Sequence, residues 1–114
     1  IWSIDPVPCD PAVIDAVGAA ARDVGVEPRT MPSGAAHDAQ SMAAIAPIGM
    51  IFAPSVGGRS HTSAEWTHRD DIELAADVCL AAARRLAVTD PERLPHEPPP
   101  RAEDDLPAAE EPPR

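Results

Sequence analysis

Apolar positions set the frame. Val13, Ile14, Val17 and Ala21 recur at spacings of three and four, the signature of one helix face. Asp10-Pro11 precedes them. Aspartate is a strong N-cap and proline suits the first helical position, so the pattern predicts a helix over residues 12–24 that Gly25 ends. A short extended stretch over 28–31 and a break at Pro32-Ser33-Gly34 follow. Residues 37–46 read as a second, shorter helix stopped by Pro47. Residues 48–53, Ile-Gly-Met-Ile-Phe-Ala, form a continuous apolar run that suits a strand buried on both faces, as in a parallel sheet. Residues 54–68 are a loop rich in glycine, serine and threonine, long enough to suggest a function. The last helix is predicted over 69–87. Asp70 and Asp71 favour its start and Arg84 and Arg85 its end, and Ile72, Ala75, Ala76, Cys79, Ala82, Ala83 and Leu86 form its apolar stripe.

The hydrophobic pattern stops at residue 89. The last 26 residues hold eight prolines, eight acids and three arginines, a composition that cannot offset the entropy of ordering. They are expected to be a disordered acidic tail, removable with little effect on folding or activity. Residues 1–8, with two prolines, read as the end of a strand. The order helix, strand, helix, strand, helix is α/β. The residues before the tail are too few to cover both faces of a parallel sheet, so the pattern predicts an incomplete sheet flanked by helices. The chain opens on Ile1 rather than Met, and both features are read as those of a piece of a larger protein.

Charge narrows the partners. The net charge is −10, about half of it in the tail. An acidic chain does not suit phosphate backbones, so no nucleic-acid partner is expected. No apolar run approaches the ~18 residues of a membrane span, and no signal peptide is visible, which makes the cytoplasm the default location. Cys9 and Cys79 have no spacing that calls for a bridge and are read as reduced thiols.

Two segments carry candidate chemistry. Ser33-Gly34-Ala35-Ala36-His37-Asp38-Ala39 places small residues at a turn into a helix. There the free N–H groups and dipole suit an anion, although from the residues alone a plain strand-to-helix turn with Asp38 as a first-turn acid is the first reading. Gly57-Gly58-Arg59-Ser60-His61-Thr62-Ser63-Ala64-Glu65-Trp66 places His61 in a loop after an apolar run, where ligands gather in α/β sheets. Imidazole is a common zinc ligand and Glu65 could orient it. By spacing alone His61 reads first as a solvated side chain, because no second ligand pair accompanies it. The alternative function is a non-catalytic interaction module carrying an acidic tail.

Taken in order, Ser33 to Ala39, then Pro47-Ile48-Gly49-Met50-Ile51-Phe52, then Ser60-His61 with Glu65 resemble the C-terminal part of the hydantoinase/carbamoylase family. Its members include N-carbamoyl-L-amino acid hydrolases, allantoate amidohydrolases and β-ureidopropionases. The resemblance covers roughly residues 5–87. It implies an aminopeptidase-like α/β catalytic domain with an inserted lid domain: residues 1–8 as the exit from the lid, 9–88 as the end of the catalytic domain, and 89–114 as the tail. It also implies two divalent metals (zinc, manganese or cobalt) and a bridging water that attacks the carbamoyl or ureido group of a small substrate. A homodimer formed through the lid is part of the same expectation.

By the same resemblance His61 is a metal ligand, Gly34, Ala35, Ala36 and His37 line the substrate pocket, and Asp38, Ser60 and Glu65 support the site. The other ligands, the general-base glutamate and the lid's substrate-clamping arginine and asparagine are expected upstream. No catalytic residue is therefore expected in this segment, and by itself it is expected to be inactive. Two positions depart from the family pattern. Ala36 replaces a glycine, which could narrow the pocket or exclude a positive φ. Arg59 replaces an aliphatic residue before Ser-His and could change the charge beside the site.

Overall fold

The computed structural model describes residues 5–89. Three helices appear in the order α1 (Pro11–Asp23), α2 (Ala39–Met42) and α3 (Arg69–Ala87), with a single 3-10 turn at Val56–Gly58. No helix among these residues is long and apolar enough to cross a membrane.

The long helices form where local chemistry directs. The Asp10 carboxylate accepts from the N–H groups of Ala12, at 2.8 Å, and Val13, at 3.1 Å, satisfying two of the donors a helix start leaves open. At the far end Gly25 takes φ +87°. Its N–H reaches the Arg22 carbonyl, and the Val26 N–H reaches Ala21 at 2.9 Å, the paired bonds of a Schellman stop. Helix α3 has the predicted bounds, with Asp70 and Asp71 in its first turn and Arg84 and Arg85 in its last. Thr89 belongs to its C-terminus: its hydroxyl donates to the Arg85 carbonyl at 2.9 Å. The rest of the expected tail, residues 90–114, and residues 1–4 lie outside the described residues.

Helices α1 and α3 pack on each other. The buried side chains of the two helices are small: Val13, Ala20 and Ala21 of α1 and Val78 and Ala82 of α3, Ala20 completely. Asp23 and Arg85 join the helix ends, with Arg85 Nε donating to Asp23 Oδ2 at 3.0 Å. Both side chains are about half exposed, so solvent screening limits this pair to about 1 kcal/mol at most. The buried set among the described residues contains nothing larger than valine, and alanines contribute little apolar area each. A core this thin needs further partners.

Three expectations are corrected. Residues 48–53 are not a strand, and the described residues contain none. The one backbone bond tying this run to a neighbour is Asp10 N–H to the Ile48 carbonyl at 2.9 Å. A strand requires a ladder on at least one side, and among the described residues no second extended segment supplies it. Residues 5–8 and 28–31 are likewise unpaired. The second helix covers four residues rather than ten, and irregular turns carry the chain to Ala46. The stripe on α3 is rotated: Ala75, Val78, Ala82 and Leu86 turn inward, while Ile72, Ala76, Cys79 and Ala83 are exposed.

Gly49 shows how closely the apolar run lies on α1. A Cβ added there would stand 2.5 Å from Val13 Cγ1, well inside contact distance. Gly49→Ala is expected to destabilise the folded protein by about 1–3 kcal/mol, seen as a lower melting temperature. An unchanged melt would mean that Val13 moves aside.

Candidate functional site

The loop that holds His61 is closed at its base by its own backbone. The Val56 N–H donates to the Trp66 carbonyl at 2.8 Å, and Gly58 N–H reaches the Ser55 carbonyl at 2.9 Å. The Ser55 hydroxyl donates to the carbonyl of Arg59 and, at 3.5 Å, to that of Trp66. Residues ten and more apart are thereby held as one compact loop ahead of α3. Ser55 and Thr62 are the organising residues that sequence reasoning passed over. Thr62 accepts the Glu65 N–H on its carbonyl at 3.1 Å and the Ala64 N–H on its hydroxyl at 3.3 Å. The available signal was a Ser or Thr at a turn start, where the hydroxyl commonly bonds the backbone two residues on. Trp66 is 66% exposed and contributes its carbonyl to the loop.

Within the loop Ser60, His61 and Glu65 are brought together. The Ser60 hydroxyl lies 2.8 Å from His61 Nδ1, and the His61 N–H donates to Glu65 Oε2 at 2.8 Å. His61 has φ +58° and is the one non-glycine residue with a positive φ among the described residues. For an L-residue that conformation costs about 1–2 kcal/mol. The side chain is exposed. The Ser60–His61 contact takes either direction: where Ser60 accepts from Nδ1–H, Nε2 keeps the lone pair a metal requires, and where Ser60 donates to Nδ1, Nε2 carries the proton.

His37 is held in the opposite sense. Its Nδ1 accepts the Ala39 N–H at 3.0 Å, so the neutral ring carries its proton on Nε2 and can donate to an oxygen. The turn around it is tied up locally. Ser33 Oγ accepts the Ala35 N–H at 3.3 Å and donates to the Ala35 carbonyl at 2.9 Å, and Gln40 Oε1 accepts the His37 N–H at 3.2 Å. The expected anion site at a helix start is not formed here. Helix α2 has four residues, too few aligned peptides for an appreciable dipole, and the N–H groups of Ala35, His37 and Ala39 are already bonded. Asp38 stands at the N-cap position but makes no side-chain capping bond. Ala36 is accommodated without a positive φ, which removes the conformational objection to it. Gly34 has open space around its α-carbon.

The two segments do not share a cavity. A groove of about 620 Å³ runs between α1 and the two extended stretches; Ile14, Met31, Met50 and Phe52 give it apolar walls, and Arg22 and His37 stand on its border. Ser33 and Ala35 also line it, whereas His61 does not. No group of three or more His, Cys, Asp or Glu side chains among the described residues could hold a metal ion. His61 is therefore the one ligand-type side chain of its loop held by a neighbour's hydroxyl, and the described residues supply no metal-holding group around it. Cys9 and Cys79 are free thiols.

Comparison with known proteins supplies the wider frame. The sequence pattern of the family described as peptidase family M20/M25/M40 matches residues 1–85. The N-carbamoyl-L-amino acid amidohydrolase of Geobacillus stearothermophilus is 43% identical over 82 residues, covering 72% of this chain and 20% of that protein. The N-carbamoyl-L-amino-acid amidohydrolase of Paenarthrobacter aurescens is 38% identical over 85 residues, 75% of this chain and 21% of its own. The allantoate amidohydrolase of Bacillus subtilis is 39% identical over 84 residues, 74% of this chain and 20% of its own. The chain therefore spans about a fifth of the length of these curated relatives. No solved structure gives a significant match.

Proposed function

The chain belongs to peptidase family M20/M25/M40, and we propose from that premise that it is the C-terminal part of the α/β catalytic domain of a metal-dependent amidohydrolase. The reaction is hydrolysis of a linear carbamoyl or ureido C–N bond. N-carbamoyl-L-amino acids and allantoate are the substrate classes, as in the names of the relatives. The observation that carries this reading is the Ser60-His61 pair: a ring held by a hydroxyl 2.8 Å from Nδ1, in a loop closed on itself. A surface histidine has no need of such fixing, whereas a metal ligand does.

In this reading the whole protein holds two divalent ions, zinc, manganese or cobalt. Such ions supply an activated water and stabilise the charge that develops on the substrate oxygen. The remaining ligands come from parts of the protein outside this chain. His61 contributes Nε2. His37, with its proton on Nε2, donates to an oxygen of the substrate, and Gly34, Ala35 and Ala36 let the substrate approach the backbone. Residues 48–53 become a strand once neighbours supply a ladder, and the apolar groove and the exposed face of α3 are covered by the same neighbours. A homodimer formed through a lid domain and a cytoplasmic location belong to the same proposal.

The test is a substrate panel on the full-length protein. Hydrolysis of N-carbamoyl-L-amino acids or allantoate that chelation abolishes and added zinc, manganese or cobalt restores is the expected result. Chelator-resistant turnover, or turnover of peptides alone, would reject the assignment.

A further inference from the structure

We infer that the groove beside α1 is the seat of a single apolar strand from the part of the protein outside this chain. That strand lies between residues 28–31 and residues 48–53 and pairs with both. The inference rests on the chain being one part of a longer domain, as proposed above. It names the neighbour that fills the groove and is independent of the metal and of the substrate.

Both extended stretches already lean on α1. A Cβ added to Gly49 would stand 2.5 Å from Val13 Cγ1, and one added to Gly18 3.8 Å from Pro28 Cγ. Between these two supports Ile14 and Val17 face the groove. The run after Pro47 alternates as a strand does: Ile48, Met50 and Phe52 line the groove, and Gly49 rests on the helix. Yet no backbone bond joins it to residues 28–31, and the peptide groups of residues 29–31 and 49–53 have no backbone partner among the described residues. Two open backbone edges thus border one apolar space of about 620 Å³.

That border selects the occupant. An unpaired peptide group shut away from water costs about as much as a lost hydrogen bond. A helix in the groove would leave both edges unpaired, because its own peptides are bonded to each other. An extended segment offers donors and acceptors along each of its sides. Met31 and Phe52 stand about half exposed, and Ile14 and Met50 complete the walls. The occupant is therefore apolar on both faces, as strands covered on both sides are. It comes from the same polypeptide. The matched segment is only 20–21% of each relative, and a tethered strand reaches the groove at a far higher effective concentration than a second copy does.

The experiment places photo-crosslinking benzoylphenylalanine in place of Met31 or Met50 of the full-length protein, maps the products by mass spectrometry, and measures amide hydrogen exchange of the parent. Phe52 takes the label should the Met50 variant not fold. Both positions are expected to join, within one molecule, to the same segment of about ten residues or fewer outside this chain. Exchange over both 29–31 and 49–53 is expected to be slowed about 100-fold or more. Links between Met31 and residues 48–53 would mean that the two stretches pair directly. Links to two separate segments, or between two molecules, would give the groove another occupant, and no product at either position would leave it open. A common segment captured with unslowed exchange in either stretch would make the occupant a helix or a loop. Each of these results overturns the inference. Hydrolysis in the substrate panel is read separately, so failure here leaves the amidohydrolase assignment standing, and failure there leaves the strand standing.

Discussion

Purified by itself, the 114-residue chain should hydrolyse neither N-carbamoyl amino acids nor allantoate at a rate above buffer, and should bind zinc no better than an exposed histidine does. Catalytic zinc is held by about three protein ligands with one position left open, and the described residues contain no cluster of even three candidate side chains. His37 cannot make up the number. It stands on the groove that His61 does not reach, and its ring is set to donate on Nε2. Solubility should suffer too. Ile72 is 53% exposed, Leu80 51% and Ile45 72%, and the run at 48–53 has no paired neighbour among the described residues, an invitation to edge-to-edge association. The check is purification followed by metal analysis, both hydrolysis assays and a thermal melt. A soluble chain with stoichiometric tight zinc and turnover would show that it holds a complete site, contrary to the proposal.

In the full-length protein, His61→Ala should lower kcat/KM by more than about 100-fold. Loss of a group that merely orients a metal ligand costs about 10- to 100-fold, so loss of the ligand itself should exceed that range. The substitution is expected to spare the fold. His61 is exposed, no other residue depends on its ring except through the Ser60 contact, and alanine keeps the backbone N–H that Glu65 holds. Parent-like kcat/KM in His61→Ala would place the ligand elsewhere.

What the sequence made legible was local. Asp10 and Gly25 fix the ends of α1 with atoms two to five residues away, and the charges of α3 mark its bounds. Those signals need no knowledge of the rest of the molecule. The strand at 48–53 could not be read in the same way, because apolarity permits a strand but only a neighbour makes one. Helix α3 illustrates the same limit. Its alanine-rich sequence offers two adjoining apolar faces, one through Ile72, Ala76, Cys79 and Ala83 and one through Ala75, Val78, Ala82 and Leu86. Periodicity cannot say which of them meets α1. The second helix failed for want of length, since a short helix is marginal unless packing supports it, and Ala43 is the one buried residue near it. At the site, residue types pointed to His61 with Glu65, and the family resemblance added Ser60. The left-handed φ of His61, and the fact that Glu65 grips its backbone rather than its ring, depend on how the loop closes through Ser55 and Trp66. No spacing encodes that.

The claim at the centre of the account is that Nε2 of His61 binds metal. A crystal structure of the zinc-loaded full-length protein, with anomalous data collected on either side of the zinc edge, tests it most directly. The predicted result is an anomalous peak about 2.0–2.1 Å from Nε2, with Ser60 still on Nδ1 and Glu65 still on the His61 N–H. Zinc peaks with His61 outside the coordination shell of all of them, its ring free in solvent, would contradict the account.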